Sequence, residues 1–395
     1  MGFSLILLFD LGNILAAFDT QRDFVGNSAL FVRSICNIAR KERVMLTKLH
    51  IQNFKSLKEV TLDLQPVNLL IGPNNSGKTN LLKAVEFLWE QRLDGIKTDK
   101  FLQDCFKHEN VEILIRAEAF GQSYLGKCKL NNTTKSVECQ RYYNFKEERE
   151  VSSTPELFKL TKILDTIQLY RPNPLKFTEA EPIISSVTIH EDVSNLVPFL
   201  ETLRDEYREN FAQIEGDIRK CLPEFQDIRF KTVAPTTNSN DKRTFKKWGL
   251  FSEVSKMTYW AEELSEGVLY FVALLCIINQ PNPPQLLLLE EPERGIHPRR
   301  IKEVMDFIFN LSQSKGIQVI MTSHHPYVLN EFEDIPEAVF VFDKDEDGAT
   351  QVRNLQKDII APSNEENDKQ GLPRIKFTQD LAEHWFSGFL GGVPA

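Results

Sequence analysis

The sequence holds no apolar run long enough to cross a membrane, no C-x-x-C pair, no internal repeat and no overall positive charge. Each absence excludes something. The N-terminal apolar stretches, Phe3 to Phe9 and Ile14 to Phe18, are interrupted by Asp10 and fall short of the ~20 residues a spanning helix needs. No basic residue precedes Leu5, so a secretory signal is not indicated. The six cysteines, at 36, 105, 128, 139, 221 and 276, have no histidine at zinc-finger spacing. They read as reduced core or boundary residues of a cytosolic protein. With 47 basic and 56 acidic residues the net charge is −9. That argues against a chain that coats nucleic acid through a general basic field, and leaves a local basic groove open. The densest basic run, Lys242, Arg243, Lys246 and Lys247 around Phe245 and Trp248, reads as a solvated loop because Asn238 to Asp241 resemble turn sequence.

What is present fits a globular chain with a real core: 395 residues, 42% of them hydrophobic. Met45 opens a natural first strand, so residues 1–44 are expected to be an extension outside the working protein, with an anchor or partner-binding helix as the alternative. Leu46 to Leu64 alternates as two strands joined at Asn53 to Ser56, and Val67 to Ile71 is a short buried strand. Val111 to Ala119 alternates strictly, with antiparallel strands continuing to about Tyr143. Apolar residues at 196, 200, 203, 207, 211, 214 and 218 predict one long amphipathic helix ending near Pro223. Leu264 to Ile278 is an apolar helix, Leu286 to Leu289 a strand, and Ile301 to Leu311 a further helix. Ile317 to Met321 and Ala338 to Phe342 are strands. Alternating strands and helices in this half predict a mainly parallel sheet covered on both faces. Glu365 to Lys369 reads as a polar loop. The tail from Trp385 to Pro394 is too apolar for a free end and should dock. Asp343 to Gly348 begins like a calcium loop, but Asn354 stands where a bidentate glutamate is required, so a charged hairpin is expected.

Four motifs carry chemistry. Gly72-Pro73-Asn74-Asn75-Ser76-Gly77-Lys78-Thr79 matches G-x-x-x-x-G-K-[ST] after a strand and before a helix. Its glycines let successive N–H groups face a phosphate, Lys78 reaches the β- and γ-phosphates, and the Thr79 hydroxyl holds Mg²⁺. Leu286 to Leu289 followed by Glu290-Glu291-Pro292-Glu293 is an apolar strand ending in paired acids. Glu290 would join the Mg²⁺ shell and Glu291 would orient the attacking water. Leu264-Ser265-Glu266-Gly267 opens a helix. Ser265 is either a simple cap or part of a phosphate site built from a helix N-terminus. Thr322-Ser323-His324-His325-Pro326 ends a buried strand, where His324 suits a γ-phosphate sensor.

In their order, these motifs resemble those of the RecF/SMC/OLD-type ATPases, in particular the short AAA-labelled ABC-type group found beside bacterial effector genes. Ile51-Gln52-Asn53-Phe54-Lys55-Ser56, Asn80-Leu81-Leu82 after the phosphate loop, and Ile296-His297-Pro298 add to the resemblance. Ile296 and His325 depart from the family's usual Leu and Ser. The resemblance implies an α/β, ABC-type P-loop NTPase spanning 45–395. It implies an antiparallel β-subdomain and a helical lobe, roughly 150–260, inserted between the phosphate loop and the signature. It implies that residues 74–80, Asn80 included, bind ATP, and that Ser265, Glu266 and Gly267 serve the ATP of an opposite subunit in a head-to-head dimer. Gln168 is the candidate for the Q-loop. It further implies an ATP-driven switch acting on a separate nuclease or toxin in phage defence. A RecF-like ATPase that binds DNA directly is the alternative. A transporter ATPase fits poorly, because its signature would read closer to Leu-Ser-Gly-Gly-Gln.

Overall fold

The computed structural model describes residues 45–90, 112–119, 121–131, 136–143, 155–234, 243–294, 296–374 and 380–391. The expectation for residues 1–44 lies outside them, as do Val111 and Lys242. In chain order the elements are β1 (Lys48–Phe54), β2 (Leu57–Asp63), β3 (Val67–Ile71), α1 (Lys78–Glu90), β4 (Glu112–Ala119), β5 (Gln122–Asn131), β6 (Ser136–Tyr143), α2 (Pro155–Asp165), β7 (Gln168–Tyr170), β8 (Glu181–Pro182), α3 (Leu196–Glu206), α4 (Arg208–Cys221), β9 (Asp227–Val233), β10 (Phe245–Ser252), β11 (Met257–Trp260), α5 (Glu266–Ile278), β12 (Leu286–Glu290), α6 (Pro298–Lys315), β13 (Gln318–Thr322), α7 (Pro326–Asn330), β14 (Val339–Lys344), β15 (Thr350–Asn354), α8 (Ala361–Gln370) and α9 (Leu381–Phe386).

The central sheet runs β15-β14-β3-β13-β12-β7, parallel except for the β14–β15 hairpin. Its strands are apolar on both sides because both faces are covered. Leu69, Ile71, Leu287, Leu289, Val319 and Met321 enter one core with α3 to α6. Their alternates Leu70, Leu286, Leu288 and Ile320 enter a second core with α1, α2 and the β2-β1-β4-β5-β6 antiparallel sheet. The register pairs Glu290 with Thr322 and Thr322 with Leu70. The C-terminal ends of β12, β13 and β3 therefore share one edge. That edge is where open parallel sheets bind ligands.

Several sequence expectations change. The long helix from Leu196 is two helices, broken at Tyr207 (φ −125°, ψ 58°). In α3 every residue from Leu196 to Leu203 is buried, whereas α4 buries only Ile214 and Ile218. Tyr207 continues the 3–4 spacing but is 37% exposed, so the pattern crosses a break it does not pack. The segment expected to be a helical lobe also carries a sheet, with β10 pairing β8, β9 and β11. Of the basic run expected to be a loop, Lys246 and Lys247 lie in β10 instead, and Lys246 is spent on Glu201, which is only 3% exposed. Residues 365–369 lie in α8, closed by Gly371 at φ 67°. The tail docks in part: Trp385 and Leu390 are buried, Phe386 and Phe389 exposed. Cys128 is disulfide-bonded, against the expectation of six reduced thiols. It stands opposite Cys139 in the β5–β6 register, a relation set by hairpin register rather than spacing. Cysteine usage therefore no longer argues for a compartment. Among the described residues no helix is long and apolar enough to cross a membrane.

Candidate nucleotide site

The phosphate loop leaves β3 at its buried end and is held from behind. Gly72 sits at φ 142° and Gly77 at φ 111°, and Asn75 adopts φ 65°. A Cβ on Gly72 would come within 2.2 Å of the Phe342 carbonyl oxygen, and one on Gly77 within 2.2 Å of Thr350 Oγ1. Both backbone conformation and crowding therefore demand glycine. Thr350 Oγ1 donates to Ser76 O (2.9 Å) and lies 2.8 Å from Ser56 Oγ, which accepts from Asn80 Nδ2 (2.9 Å). Asn80, expected at the ligand, is thus committed to the β1–β2 turn. Asn74 and Asn75 lie exposed on the loop, while Ser76, Gly77 and Lys78 are buried.

Lys78 Nζ donates to the carbonyls of Gly72 and Pro73, both at 2.8 Å. Burial pushes its pKa down to about 8, with Glu291 and Glu290 pulling it back up. It remains mostly a cation at neutral pH, held where the glycines turn the backbone. Thr79 Oγ1 donates to Glu290 Oε1 at 2.5 Å. A hydroxyl and a carboxylate in contact supply the hard oxygen donors that Mg²⁺ takes, with phosphate and water completing its shell. Those two residues would hold the ion, which would offset charge on the phosphates.

Glu291 follows at φ 49°, a left-handed conformation for a non-glycine residue. Its N–H donates to Thr322 O and Thr322 Oγ1, both at 3.2 Å. Such a conformation costs on the order of 1–3 kcal/mol and persists where neighbours fix it. It brings Glu291 Oε1 to 3.5 Å from His324 Nε2. Burial and the nearby Lys78 lower the His324 pKa below its ordinary 6.5, favouring the neutral ring. His325 instead caps α7, its Nδ1 accepting from Tyr327 N.

One contributor escaped the sequence reading, and two more, Glu293 and Ser323, stood in its motifs with no role given. Arg171, just past β7, pairs with Glu290 through Nε and with Glu191 Oε1 at 2.6 Å through Nη1. Its Nη2 is buried with no partner. Glu293, 7% exposed, accepts from Ser323 Oγ (2.6 Å) and from the backbone N–H of His324 (3.4 Å). Ser323 Oγ accepts from His325 N at 2.9 Å. A buried carboxyl thus ties the loop carrying Glu291 to the loop carrying His324. Gln168, the Q-loop candidate, opens β7 opposite Leu287 and donates to Ile189 O at 3.1 Å, so it is not at this edge. Attention to residues just beyond strand C-termini would have chosen Arg171.

The signature stands apart. Ser265 is the N-cap of α5, its Oγ accepting from Val268 N at 3.4 Å. Among the described residues Ser265, Glu266 and Gly267 make no hydrogen bond to the phosphate loop.

A family model described as "AAA domain, putative AbiEii toxin, Type IV TA system" matches residues 67–330. The chain is similar to the OLD nuclease of Thermus scotoductus, at 20% identity over 84% of this chain and 66% of that protein. It is similar to the chromosome partition protein Smc of Methanocaldococcus jannaschii, at 25% identity over 71% of this chain and 26% of that one. It therefore spans less than two thirds of each relative. Among solved structures it resembles an Smc head bound to the C-terminal winged-helix domain of ScpA. The TM-score is 0.51 at 14% identity, covering 78% of this chain and 96% of that one. That likeness shows the ABC-type ATPase fold.

Proposed function

The chain belongs to this AAA-domain family of P-loop ATPases, related to the OLD, SMC and RecF proteins, and from that premise we propose that it works as an ATP-driven dimeric switch. In this reading two copies meet head to head in the cytoplasm, and the switch controls a separate effector, a nuclease or toxin, in phage defence. The observation that carries it is the division of the motifs into two groups. Lys78, Thr79, Glu290, Glu291 and His324 converge on one sheet edge, while Ser265 to Gly267 cap a different helix. A site that is complete for phosphate, metal and water yet lacks its signature is suited to borrowing one from a second copy.

The chemistry follows from the geometry. Lys78 and the loop amides bind the β- and γ-phosphates. Thr79 and Glu290 would hold Mg²⁺, which when bound would draw charge from the γ-phosphate. Glu291 orients water and accepts its proton, and neutral His324 hydrogen-bonds the γ-phosphate or that water. The second reading, an ATPase that binds nucleic acid directly, is favoured by the basic and aromatic face of the β9–β10–β11 sheet.

The test is Glu291→Gln, which keeps the phosphate cradle and removes the base. With Mg-ATP it should accumulate as a dimer by light scattering, and the wild-type rate per molecule should rise with protein concentration. A variant that stays monomeric at saturating ATP, together with a concentration-independent wild-type rate, would overturn the dimeric switch.

A further inference from the structure

The sheet formed by β9, β10 and β11 has one face in the core and one in solvent. Trp248, Leu250 and Ile228 point inward and are buried. The outward face follows from the register. Lys247 stands opposite Lys231, Gly249 opposite both Arg229 and Trp260, and Phe251 opposite Asp227 and Thr258. Three cations and two rings therefore share this face, with Phe245 at its end. The contacts agree: Lys247 Nζ lies 5.0 Å and Lys231 Nζ 5.8 Å from the Trp260 ring centroid, and the Arg229 guanidinium 5.1 Å from that of Phe251. Arg243 extends the row, 5.8 Å from Phe245.

Gly249 explains why the indole lies against the sheet. A Cβ there would meet the Tyr259 carbonyl oxygen at 2.4 Å and the Trp260 ring at 3.0 Å. Without a side chain at that position the ring settles over the backbone, flanked by cations. Asp227 and Glu262 answer Arg229 and Lys247. The whole chain is acidic at −9, so a row of cations gathered on an open sheet is a local reversal of sign.

We infer that this face binds single-stranded nucleic acid, with phosphates taken by Arg229, Lys231, Lys247 and Arg243 and unstacked bases laid on Trp260 and Phe251. Cations alone would suit any polyanion. The rings select a ligand with planar faces, and a duplex keeps its bases stacked inside. This deepens the second reading above by naming the face and the ligand class. Trp260 also leads straight into the signature. Only the turn Ala261–Glu263 and Leu264 separate it from Ser265, and the Trp260 N–H donates to Glu263 Oε2 at 2.8 Å. A base on the indole would load the turn that positions the signature helix.

The experiment is fluorescence anisotropy of the full chain, without nucleotide, against labelled 20-nucleotide dT and U oligomers. A duplex of equal length and polyglutamate serve as competitors. The single strands should bind most tightly, with an affinity that falls steeply with salt as phosphate contacts are screened. DNA and RNA arms that differ would identify which sugar the face prefers. Arg229→Glu with Lys231→Glu should weaken binding at least tenfold and leave the basal ATPase rate unchanged. Trp260→Leu should weaken it about fivefold to a hundredfold, the loss of one stacked base. If Trp260→Leu proved unstable, Phe251→Leu tests the same stacking. Equal competition by polyglutamate, equal affinity for duplex, or charge-reversal variants that bind like the wild type would each overturn the inference. Because the assay contains no ATP, failure here leaves the dimeric switch to be judged on its own test.

Discussion

Glu293 offers a sharp test, because its burial converts into a pH dependence of stability. Its pKa is raised from the ordinary 4.5 to about 7, first by burial and also by Glu291, with the bonds from Ser323 and His324 opposing. The folded state therefore prefers the protonated acid. Stability associated with this group is fully present below about 4.5 and is lost as pH rises through about 7, for a total of about 3 kcal/mol. Glu293→Gln cannot titrate. Its amide oxygen can still accept from Ser323 Oγ, while its NH₂ takes the place of Oε2, which is buried without a partner. An unpartnered amide costs something at every pH, so absolute stability is a poor readout. The difference in slope isolates the acid. For a chain of 395 residues, about 3 kcal/mol corresponds to a change in Tm of about 4 °C. Thermal unfolding at pH 4.5 and pH 8.5 should show the wild type losing about that much more than Glu293→Gln. Parallel pH profiles for the two proteins would mean that Glu293 is not desolvated in solution, and the clamp between its loop and that of His324 would fail with it.

Other substitutions separate binding from hydrolysis. Glu291→Gln should bind a fluorescent ATP analogue normally yet hydrolyse ATP at least a hundredfold more slowly, whereas Lys78→Ala should fail at binding; wild-type turnover by Glu291→Gln would move the base elsewhere. Arg171→Ala removes the cation that shares Glu290, so the Mg²⁺ concentration needed for half-maximal analogue binding should fall by on the order of tenfold. An unchanged Mg²⁺ titration would show that the Arg171 pair does not compete with the ion. Gly77→Ala adds a Cβ where Thr350 Oγ1 stands, in a backbone conformation alanine resists, so analogue binding should be lost while circular dichroism stays native. Retained affinity would mean that the loop has more freedom than its neighbours suggest.

The strands of the parallel sheet were legible because each is a short apolar run ended by chemistry: Ile71 by the phosphate loop, Leu289 by the acids, Met321 by Thr322 to His325. Burial on both faces leaves a plain signal. The break at Tyr207 was not legible, since a tyrosine at the right spacing counts as apolar whether or not it packs. The strand at Phe245 was hidden by its cations. Lys246 looks solvated in sequence, and only the fold supplies Glu201 beneath it. Gln168 and Arg171 show the same limit within the site. They sit three positions apart, and the register of β7 against β12 decides which of them reaches Glu290.

Arg171 also indicates how the nucleotide edge is tied to the rest of the chain. Its guanidinium joins Glu290 to Glu191, and its backbone N–H donates to Glu191 O at 2.8 Å. The next residues are fixed in turn: Asp192 pairs with Lys176 and accepts from Ser194 N, and Asn195, just before α3, accepts from His190 N and donates to Thr188 O. On the other side, Ser56 receives Asn80 and Thr350 at once, tying the loop to the β1–β2 sheet and the β14–β15 hairpin. A change in what Glu290 and Thr79 hold is therefore felt through one ion pair toward α3 and one hydroxyl cluster toward the antiparallel sheet. In the proposed switch, Mg-ATP acts on these short links. The Glu290–Arg171 pair is the one directly in competition with the ion, and it is where communication between nucleotide and lobe should be most sensitive to substitution.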